Sequence, residues 1–210
     1  SRLRLFVGGF FVGSIHMIQN VIFDFGRVLV QWDLRFLFEK LIEDQAELDW
    51  FLSHVVTPEW HFQADAGRNV DDMVAERCAE YPDHADLICA YRQRFIETIP
   101  GTVDGVPEIL ADLAARDVPL FGITNFGAEF WREYSPTQPP FDHFRDIVVS
   151  GREKLAKPDP AIYALAVKRF GIDPASAIFI DDNAENVASA RAPSGWRRII
   201  SAMQKVCGQS

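Results

Sequence analysis

The sequence predicts an α/β fold, a doubly wound parallel sheet (a Rossmann-like core) with an inserted all-helical cap domain. Three observations predict it. Short unbroken apolar runs are typical of strands buried on both faces. Amphipathic helix patterns alternate with these runs after residue 100, as in βαβ units. Between residues 34 and 99 helical spacing replaces the strand pattern.

The first predicted strand is the apolar part of VIFDFGRVLV at residues 21–30. Asp24 ends the apolar run and Gly26 follows two residues later. In open α/β sheets, ligands bind beyond the carboxyl ends of the strands, where glycine permits close approach of the backbone. Asp24 is therefore a candidate for chemistry, although Asp and Gly are also common in plain turns.

The helical segment contains four stretches with apolar residues at helical spacing. They are residues 34–44, 46–56, 70–81 and 84–99. The stretch 57–70, TPEWHFQADAGRNV, is the least helix-like part of the segment and the richest in polar and aromatic groups. The pattern indicates a helical insertion that ends at Pro100 and Gly101.

Polar groups also follow the later strands. They are Thr124 with Asn125, the lysines within 154–157, and Asp181 with Asp182. Each group alone can be explained as a helix cap or a solvated loop charge. Right-handed crossovers bring the carboxyl ends of neighbouring parallel strands to one edge, so together these groups would meet Asp24 in one crevice.

Composition narrows the function classes. The 210 residues are 48% hydrophobic, which supports a sizeable core, and the formal net charge is −9 with a pI near 5.0. This acidity argues against a general nucleic-acid or anionic-membrane binder. The three cysteines are scattered and lack metal-ligand spacing, so we expect a cytoplasmic protein. The sequence leaves a monomer and a homodimer equally open.

Four motifs then appear in order, and they resemble those of the haloacid dehalogenase-like (HAD) hydrolase superfamily. They are FDFG, ITN, KPDPAIY and FIDDNAEN, within residues 20–192. The helical segment lies where one branch of that superfamily inserts its cap, between the first two motifs. The resemblance is greatest to small sugar-phosphatase-like members.

The resemblance implies a domain organisation. Residues 17–32 and 101–198 would form the α/β core, and residues 33–100 the cap. Residues 1–16 are expected to be an extension outside the fold. Residues 199–210 form an atypical tail, in which Ile199 and Ile200 can add an edge strand.

The resemblance also implies catalytic roles. Asp24 would be the nucleophile that forms an aspartyl-phosphate. Thr124 and Lys157 would hold the transferring phosphoryl group, and Asn125 would orient the nucleophile or the substrate. The substrate would be a small phosphorylated metabolite, with a sugar phosphate as one candidate.

A magnesium site is implied at the same edge. Asp24 and Asp182, with the backbone carbonyl of Gly26, would bind Mg²⁺, which prefers a few carboxylates together with substrate oxygens and water. Asp181 and Asn186 would support these ligands without binding the metal themselves.

The polar stretch of the cap is predicted to set the substrate, since lids complete active sites when they close. The candidate substrate-binding side chains are Trp60, His61, Gln63 and Arg68, with Asp65 beside them. An ordinary turn at residues 65–67 is the alternative. His61 is a candidate proton carrier, because histidine titrates near neutral pH.

One departure from the superfamily pattern keeps other functions open. Most phosphatases of the superfamily carry a second Asp, the general acid and base, where this chain has Gly26. Two other functions do not require that Asp: a metal-independent 2-haloacid dehalogenase and a non-catalytic binding protein. Asp181 and Asp182 would repel a haloacid anion, so the phosphatase is favoured.

Overall fold

The computed structural model describes residues 18–194 and 196–200, and in that part of the chain five parallel strands form one sheet in the order β3-β2-β1-β4-β5. The predicted fold class is confirmed. The strands are β1 Asn20–Phe23, β2 Leu120–Thr124, β3 Phe144–Val149, β4 Ala177–Asp181 and β5 Arg197–Ile200.

The first predicted strand lies at the centre of the sheet. In β1, Val21 pairs with Leu120 of β2 on one side and with Ile178 of β4 on the other. Side chains alternate between the two faces of a strand. Accordingly, Val21 and Phe23 pack in one hydrophobic cluster, while Ile22 packs in the second.

Helices connect the strands and cover both faces. After the inserted segment they are α6 Val106–Ala115, α7 Ala128–Tyr134, α8 Ser150–Glu153, α9 Pro160–Phe170 and α10 Ala184–Ser194. Helices α7 and α8 were not predicted from the sequence pattern. Helix α9 has a typical start and end. The Asp159 side chain caps its first turn, and Gly171 ends it in the left-handed conformation.

Residues 34–99 form helices joined by turns and contain no strand, as predicted, but they hold five α-helices rather than four. They are α1 Arg35–Phe38, α2 Gln45–His54, α3 Pro58–Asp65, α4 Val70–Glu80 and α5 Ala85–Gln93. The first predicted helix shortens to four residues, and the last one ends at Gln93 before a 3₁₀ turn at Phe95–Thr98.

The extra helix, α3, corrects the prediction for residues 57–70. The Thr57 hydroxyl accepts a hydrogen bond from the Trp60 backbone N–H, and Pro58 occupies the first turn, where it needs no intrahelical donor. These two residues are a strong helix start. The polar and aromatic composition hid it because only part of this short helix faces an apolar core.

One hydrophobic cluster continues from the core into the cap. It contains Phe25 after β1, Phe51 of α2 and Tyr91 of α5. A second cluster buries Ile22 and Phe179 against Ile162 of α9. Helix α3 of the cap contacts α8, which directly follows β3, so the carboxyl end of that strand lies beside the cap.

The predicted extension at residues 1–16 lies outside the described residues, as do residues 201–210 of the predicted tail. The remaining tail residues, Ile199 and Ile200, belong to β5, which pairs with β4. The exact division into core and cap stays a prediction. Among the described residues we find no helix with the length and apolar character needed to cross a membrane.

Candidate active site

Sheet register brings two carboxylates together at the centre of the sheet. Phe23 pairs with Ile180, and the Asp24 N–H donates to the Ile180 carbonyl at 2.8 Å. Asp24 and Asp181 thus occupy equivalent positions at the ends of adjacent strands. Both are buried, with Asp24 8% and Asp181 0% exposed.

Lys157 bridges these carboxylates. Its Nζ lies 2.7 Å from Asp24 Oδ1 and 2.7 Å from Asp181 Oδ2, and the residue is only 1% exposed. The Asn125 side chain fixes the Lys157 backbone, because its Oδ1 accepts from the Lys157 N–H and its Nδ2 donates to the Lys157 carbonyl. Asn125, predicted to orient the nucleophile or substrate, therefore contacts the backbone of the lysine that holds the nucleophile.

Burial dominates the electrostatics of this charged cluster of Asp24, Lys157, Asp181 and Asp182. Burial raises the pKa of Asp24 to about 7, against the lowering effect of Lys157, and Asp181 raises it further. Burial alone would lower the pKa of Lys157, but the charges of Asp24 and Asp181 raise it above its ordinary value. Lys157 consequently stays protonated at neutral pH.

Asp181 and Asp182 differ in how they are engaged. Asp181 Oδ1 accepts from the Asn183 N–H and from Asn186 Nδ2, and Oδ2 accepts from Lys157. Both oxygens of Asp181 are therefore used within the protein. Asp182 is partly exposed. Its pKa is raised, first by burial and second by the charge of Asp181.

The charged cluster fits a divalent cation. Ligand oxygens of Asp24, Asp181 and Asp182 lie within 4.8 Å of one another. Three carboxylates beside one ammonium leave an excess of negative charge at a buried site, which is costly without a counter-ion. A hard cation with oxygen ligands would offset this excess.

A cavity of about 200 Å³ opens beside the charged cluster. A concave site of this kind, with a few polar groups beside apolar walls, suits a small-molecule substrate. Its apolar wall comes from both the core and the cap: Val30, Trp32, Phe95, Ile99 and Phe126. Its polar lining is Asp24, Gly26, Arg27, His61, Asp65, Asn125, Lys157, Asp182, Asn183 and Asn186.

A second buried polar group lies on the cap side of this cavity. His61 and Asp65 are one helical turn apart on α3, so they share a face. His61 Nδ1 lies 2.8 Å from the Tyr91 hydroxyl, and His61 Nε2 lies 3.5 Å from Asp65 Oδ2. We call His61, Asp65 and Tyr91 the cap triad.

The cap triad is neutral at neutral pH. Burial lowers the pKa of His61 to about 4. Burial also raises the pKa of Asp65 to about 8, with a smaller opposing effect from the Gly127 backbone N–H. The pKa of Tyr91 is raised well above its ordinary value, mainly by burial.

Two lining residues that sequence reasoning missed connect the core loop to the cap. The Arg27 guanidinium lies over the Trp32 ring, 5.3 Å from its centroid, and Trp32 stacks on His61 at 5.1 Å. Arg27 follows Gly26 directly, so its position beside the strand end was an available signal. Trp32 carried no comparable signal, because an isolated aromatic is more often part of the core.

The other predicted substrate-binding side chains are not among the described residues that line the cavity. Trp60 is buried against Tyr91 and lies under the Arg77 guanidinium. Arg68 bonds Gln63 and Glu76 on the exposed side of the cap. Because α3 is a helix, only the face carrying His61 and Asp65 reaches the cavity. Thr124 is buried at the end of β2, and its hydroxyl lies 3.5 Å from the Asn125 carbonyl.

Sequence comparison identifies the family of the chain. The family model of the haloacid dehalogenase-like hydrolases matches residues 18–192. A sesquiterpene phosphatase of Aspergillus oryzae is 25% identical over 176 residues, which cover 83% of this chain and 85% of that protein. An N-acetylmuramic acid 6-phosphate phosphatase of Pseudomonas aeruginosa is 30% identical over 88 residues, 42% of this chain and 39% of that protein.

Solved structures share the fold. A HAD family enzyme of Bacteroides thetaiotaomicron, solved with magnesium and inorganic phosphate, superposes with a TM-score of 0.67 at 19% identity, covering 91% of this chain and 98% of that one. An L-2-haloacid dehalogenase of Xanthobacter autotrophicus, with chloropropionic acid covalently bound, gives 0.61 at 18% identity, covering 87% and 76%. At these identities the likeness concerns the fold alone.

Proposed function

The chain belongs to the haloacid dehalogenase-like hydrolase family, and from that premise we propose that it is a Mg²⁺-dependent phosphatase acting on a small phosphate monoester. One observation carries the proposal: Asp24 is buried beside a cavity, 2.7 Å from the Lys157 ammonium, with two further carboxylates at the same edge. Phosphatases among the similar sequences support the reaction class.

The nucleophile in this mechanism is Asp24 Oδ2. Asp24 Oδ1 already accepts from the Phe25 N–H at 2.7 Å and from Lys157, so the carboxylate is held in one orientation. Attack of Oδ2 on phosphorus forms the aspartyl-phosphate and releases the leaving group. Water then hydrolyses this acyl-phosphate and regenerates Asp24.

Lys157 supplies positive charge where the transferring phosphoryl group carries negative charge. The ion pair with Asp181 and the hydrogen bonds from the Asn125 side chain to the Lys157 backbone keep the ammonium in place. The lysine therefore need not move during the reaction. Thr124, buried at the end of β2 beside Asn125, would hold the transferring phosphoryl group from that side. Asp181 and Asn186 hold the opposite side.

The metal would be held by Asp24, Asp182 and the backbone carbonyl of Gly26, since both oxygens of Asp181 are engaged by protein donors. When bound, Mg²⁺ supplies positive charge that offsets the repulsion between the phosphoryl group and the carboxylates. Asp182 and Gly26 both line the cavity, which supports this assignment.

The test is phosphate release from small monoesters, sugar 1-phosphates included, with Mg²⁺ and with EDTA. We expect release that requires Mg²⁺ and falls on the order of 10⁴-fold or more in Asp24→Asn, because the nucleophile is lost. Mg²⁺ should also raise the melting temperature of the wild type by mass action. Asp182→Asn should abolish that rise, and the exposed control Asp72→Asn should keep it.

The same assay can contradict the phosphatase proposal. If no ester releases phosphate in either condition, the phosphatase proposal is wrong. Halide release from 2-haloacids without metal would then support a dehalogenase, whose fold this chain shares. Mg²⁺ binding without any turnover would support a binding protein.

A further inference from the structure

The proposed reaction leaves one requirement unmet at Gly26. An alkoxide leaving group needs a proton as its bond to phosphorus breaks, and Gly26 has no side chain to donate one. Most other polar groups of the cavity are unsuited to the task. Lys157 holds its protons between two carboxylates.

His61 is also unsuited. It is buried and neutral, and its two ring nitrogens face Tyr91 and Asp65. With the Tyr91 hydroxyl 2.8 Å from Nδ1 and Asp65 Oδ2 3.5 Å from Nε2, neither ring nitrogen faces the cavity without a protein neighbour.

Asp24 and Asp182 are assigned to the nucleophile and the metal, which leaves Asp65 as the acid among the described residues that line the cavity. One of its oxygens lacks a partner. The residue is 7% exposed and lines the cavity with Asp24. Within the described part of the chain its Oδ1 is buried and has no hydrogen-bond partner. Buried polar atoms in native proteins are nearly always satisfied, so this exception calls for a partner that arrives from outside.

The surroundings of Asp65 keep its carboxyl group protonated. The titratable and charged groups that face it are His61 on α3, Tyr91 on α5, Asp24 after β1 and Lys157 before α9. Lys157 is neutralised by its own two carboxylates, and Asp24 disfavours a second negative charge. A neutral Asp65 with an unpartnered Oδ1 can donate a proton to a group that enters the cavity.

Close packing fixes the end of α3 at this position. A Cβ on Gly127 would lie 3.3 Å from the Ala64 Cβ, and a Cβ on Gly67 would lie 3.2 Å from the Gly151 carbonyl. Ala64 before Asp65 and Gly67 after it therefore lie close to the backbone of the core. This contact, which we call the glycine seam (Gly67, Gly127 and Gly151), leaves the carboxyl little freedom to move.

We propose that Asp65 of the cap is the general acid–base residue of this enzyme, in place of the carboxyl group that Gly26 lacks. This inference rests on the proposed phosphatase function and deepens it. Asp65 would contact the leaving-group oxygen through its unpartnered Oδ1.

The chemistry balances with water as the only co-reactant. Asp24 Oδ2 attacks phosphorus as the bond to the ester oxygen breaks, and that oxygen takes the Asp65 proton and leaves as an alcohol. In the second step water attacks the aspartyl-phosphate, the Asp65 carboxylate takes a proton from it, and the Asp24 carboxylate and hydrogen phosphate are released. Asp65 ends each cycle protonated.

The test compares two esters in Asp65→Asn. We would measure the release of the leaving group in the first turnover, before hydrolysis of the aspartyl-phosphate can limit the rate. A primary alkyl phosphate needs the proton, whereas nitrophenyl phosphate releases a stable anion. We expect about a 10²-fold fall for the alkyl ester and little change for the nitrophenyl ester. Asp72→Asn, an exposed cap control, should match the wild type on both.

An equal fall for both esters, or no fall for either, would overturn the proposal. If Asp65→Asn does not fold, the pH dependence of the wild type takes its place. First-turnover release from the alkyl ester should decline as pH rises through the pKa of Asp65, about 8, while the nitrophenyl ester does not show that decline. Nitrophenol release that requires Asp24 establishes the phosphatase independently, so the two proposals fail separately.

Discussion

The charged cluster of the core and the cap triad are both buried, yet they are stabilised in opposite ways. In the core, Asp24 and Asp181 are compensated by a lysine at 2.7 Å from each. In the cap, Asp65 has a histidine at 3.5 Å and the Gly127 backbone N–H beside it but no paired cation among the described residues, and burial lowers the pKa of that histidine to about 4. The core carboxylates are thus paired with a cation, whereas Asp65 is kept protonated because burial disfavours its charge.

The difference shows how one residue type can serve two chemical purposes. A carboxylate beside a fixed cation suits nucleophilic attack and metal binding, because its charge is already offset. A carboxyl group in an apolar wall suits proton donation, because ionisation there is unfavourable. Asp24 and Asp65 line the same cavity and differ mainly in their partners.

The largest expected effect comes from removing the cation of the charged cluster. Lys157→Met would leave two buried carboxylates without a positive neighbour, and we expect a loss of about 3–5 kcal/mol in the free energy of unfolding together with loss of phosphatase activity. Urea unfolding measures the first and phosphate release the second. The exposed Lys168→Met is the matched control. A change as small as that control would show that the cluster does not depend on its cation.

A smaller effect should follow from moving the acid between the two regions. A Cβ at Gly26 would meet no atom within 4 Å, so a side chain fits there. Gly26→Asp added to Asp65→Asn should restore alcohol release from an alkyl phosphate by about tenfold or more, because a carboxyl group again lines the cavity. Gly26→Asn in the same background is the matched control and should restore nothing. Equal recovery with both would show that the added side chain acts by shape and not as an acid.

The smallest effect concerns stability against pH. The pKa of Asp65 rises from 3.8 in the unfolded chain to about 8 in the folded one, so its contribution to stability declines as pH increases between those values. Asp65→Asn removes that decline, and the variant should therefore gain stability relative to the wild type between about pH 5 and about pH 8.

Urea unfolding at the two pH values measures this gain, with Asp72→Asn as the reference. His61 has the opposite sign, because its folded pKa is lowered to about 4 from 6.5 and its contribution is lost as pH falls through that window. A stability difference between Asp65→Asn and the wild type that is the same at both pH values would contradict a protonated Asp65.

The core side of the site was predictable from sequence for a local reason. Each apolar run ends at a polar residue, and parallel strand topology brings such ends together whatever the loops do. Asp24, Lys157 and Asp181 therefore meet as expected. The hydrogen bonds between the Asn125 side chain and the Lys157 backbone require two loops at a defined distance. The pattern of apolar residues carries no information about that distance.

The cap side was less predictable because its orientation depends on one helix. With α3 treated as an irregular stretch, every polar side chain from Trp60 to Arg68 was an equal candidate. The helix points these side chains in different directions around its axis. Of that set, His61 and Asp65 alone are among the described residues that line the cavity. Thr57 followed by Pro58 was the overlooked signal of a helix start.

The glycine seam makes substrate preference sensitive to residues that never contact substrate. A Cβ on Gly127 would lie 3.3 Å from the Ala64 Cβ, so an added methyl group there would press on the residue next to Asp65. Esters with poor leaving groups depend on the position of the acid, whereas esters with good ones do not. We therefore expect an added methyl group at the seam to favour activated esters although every residue that lines the cavity stays the same.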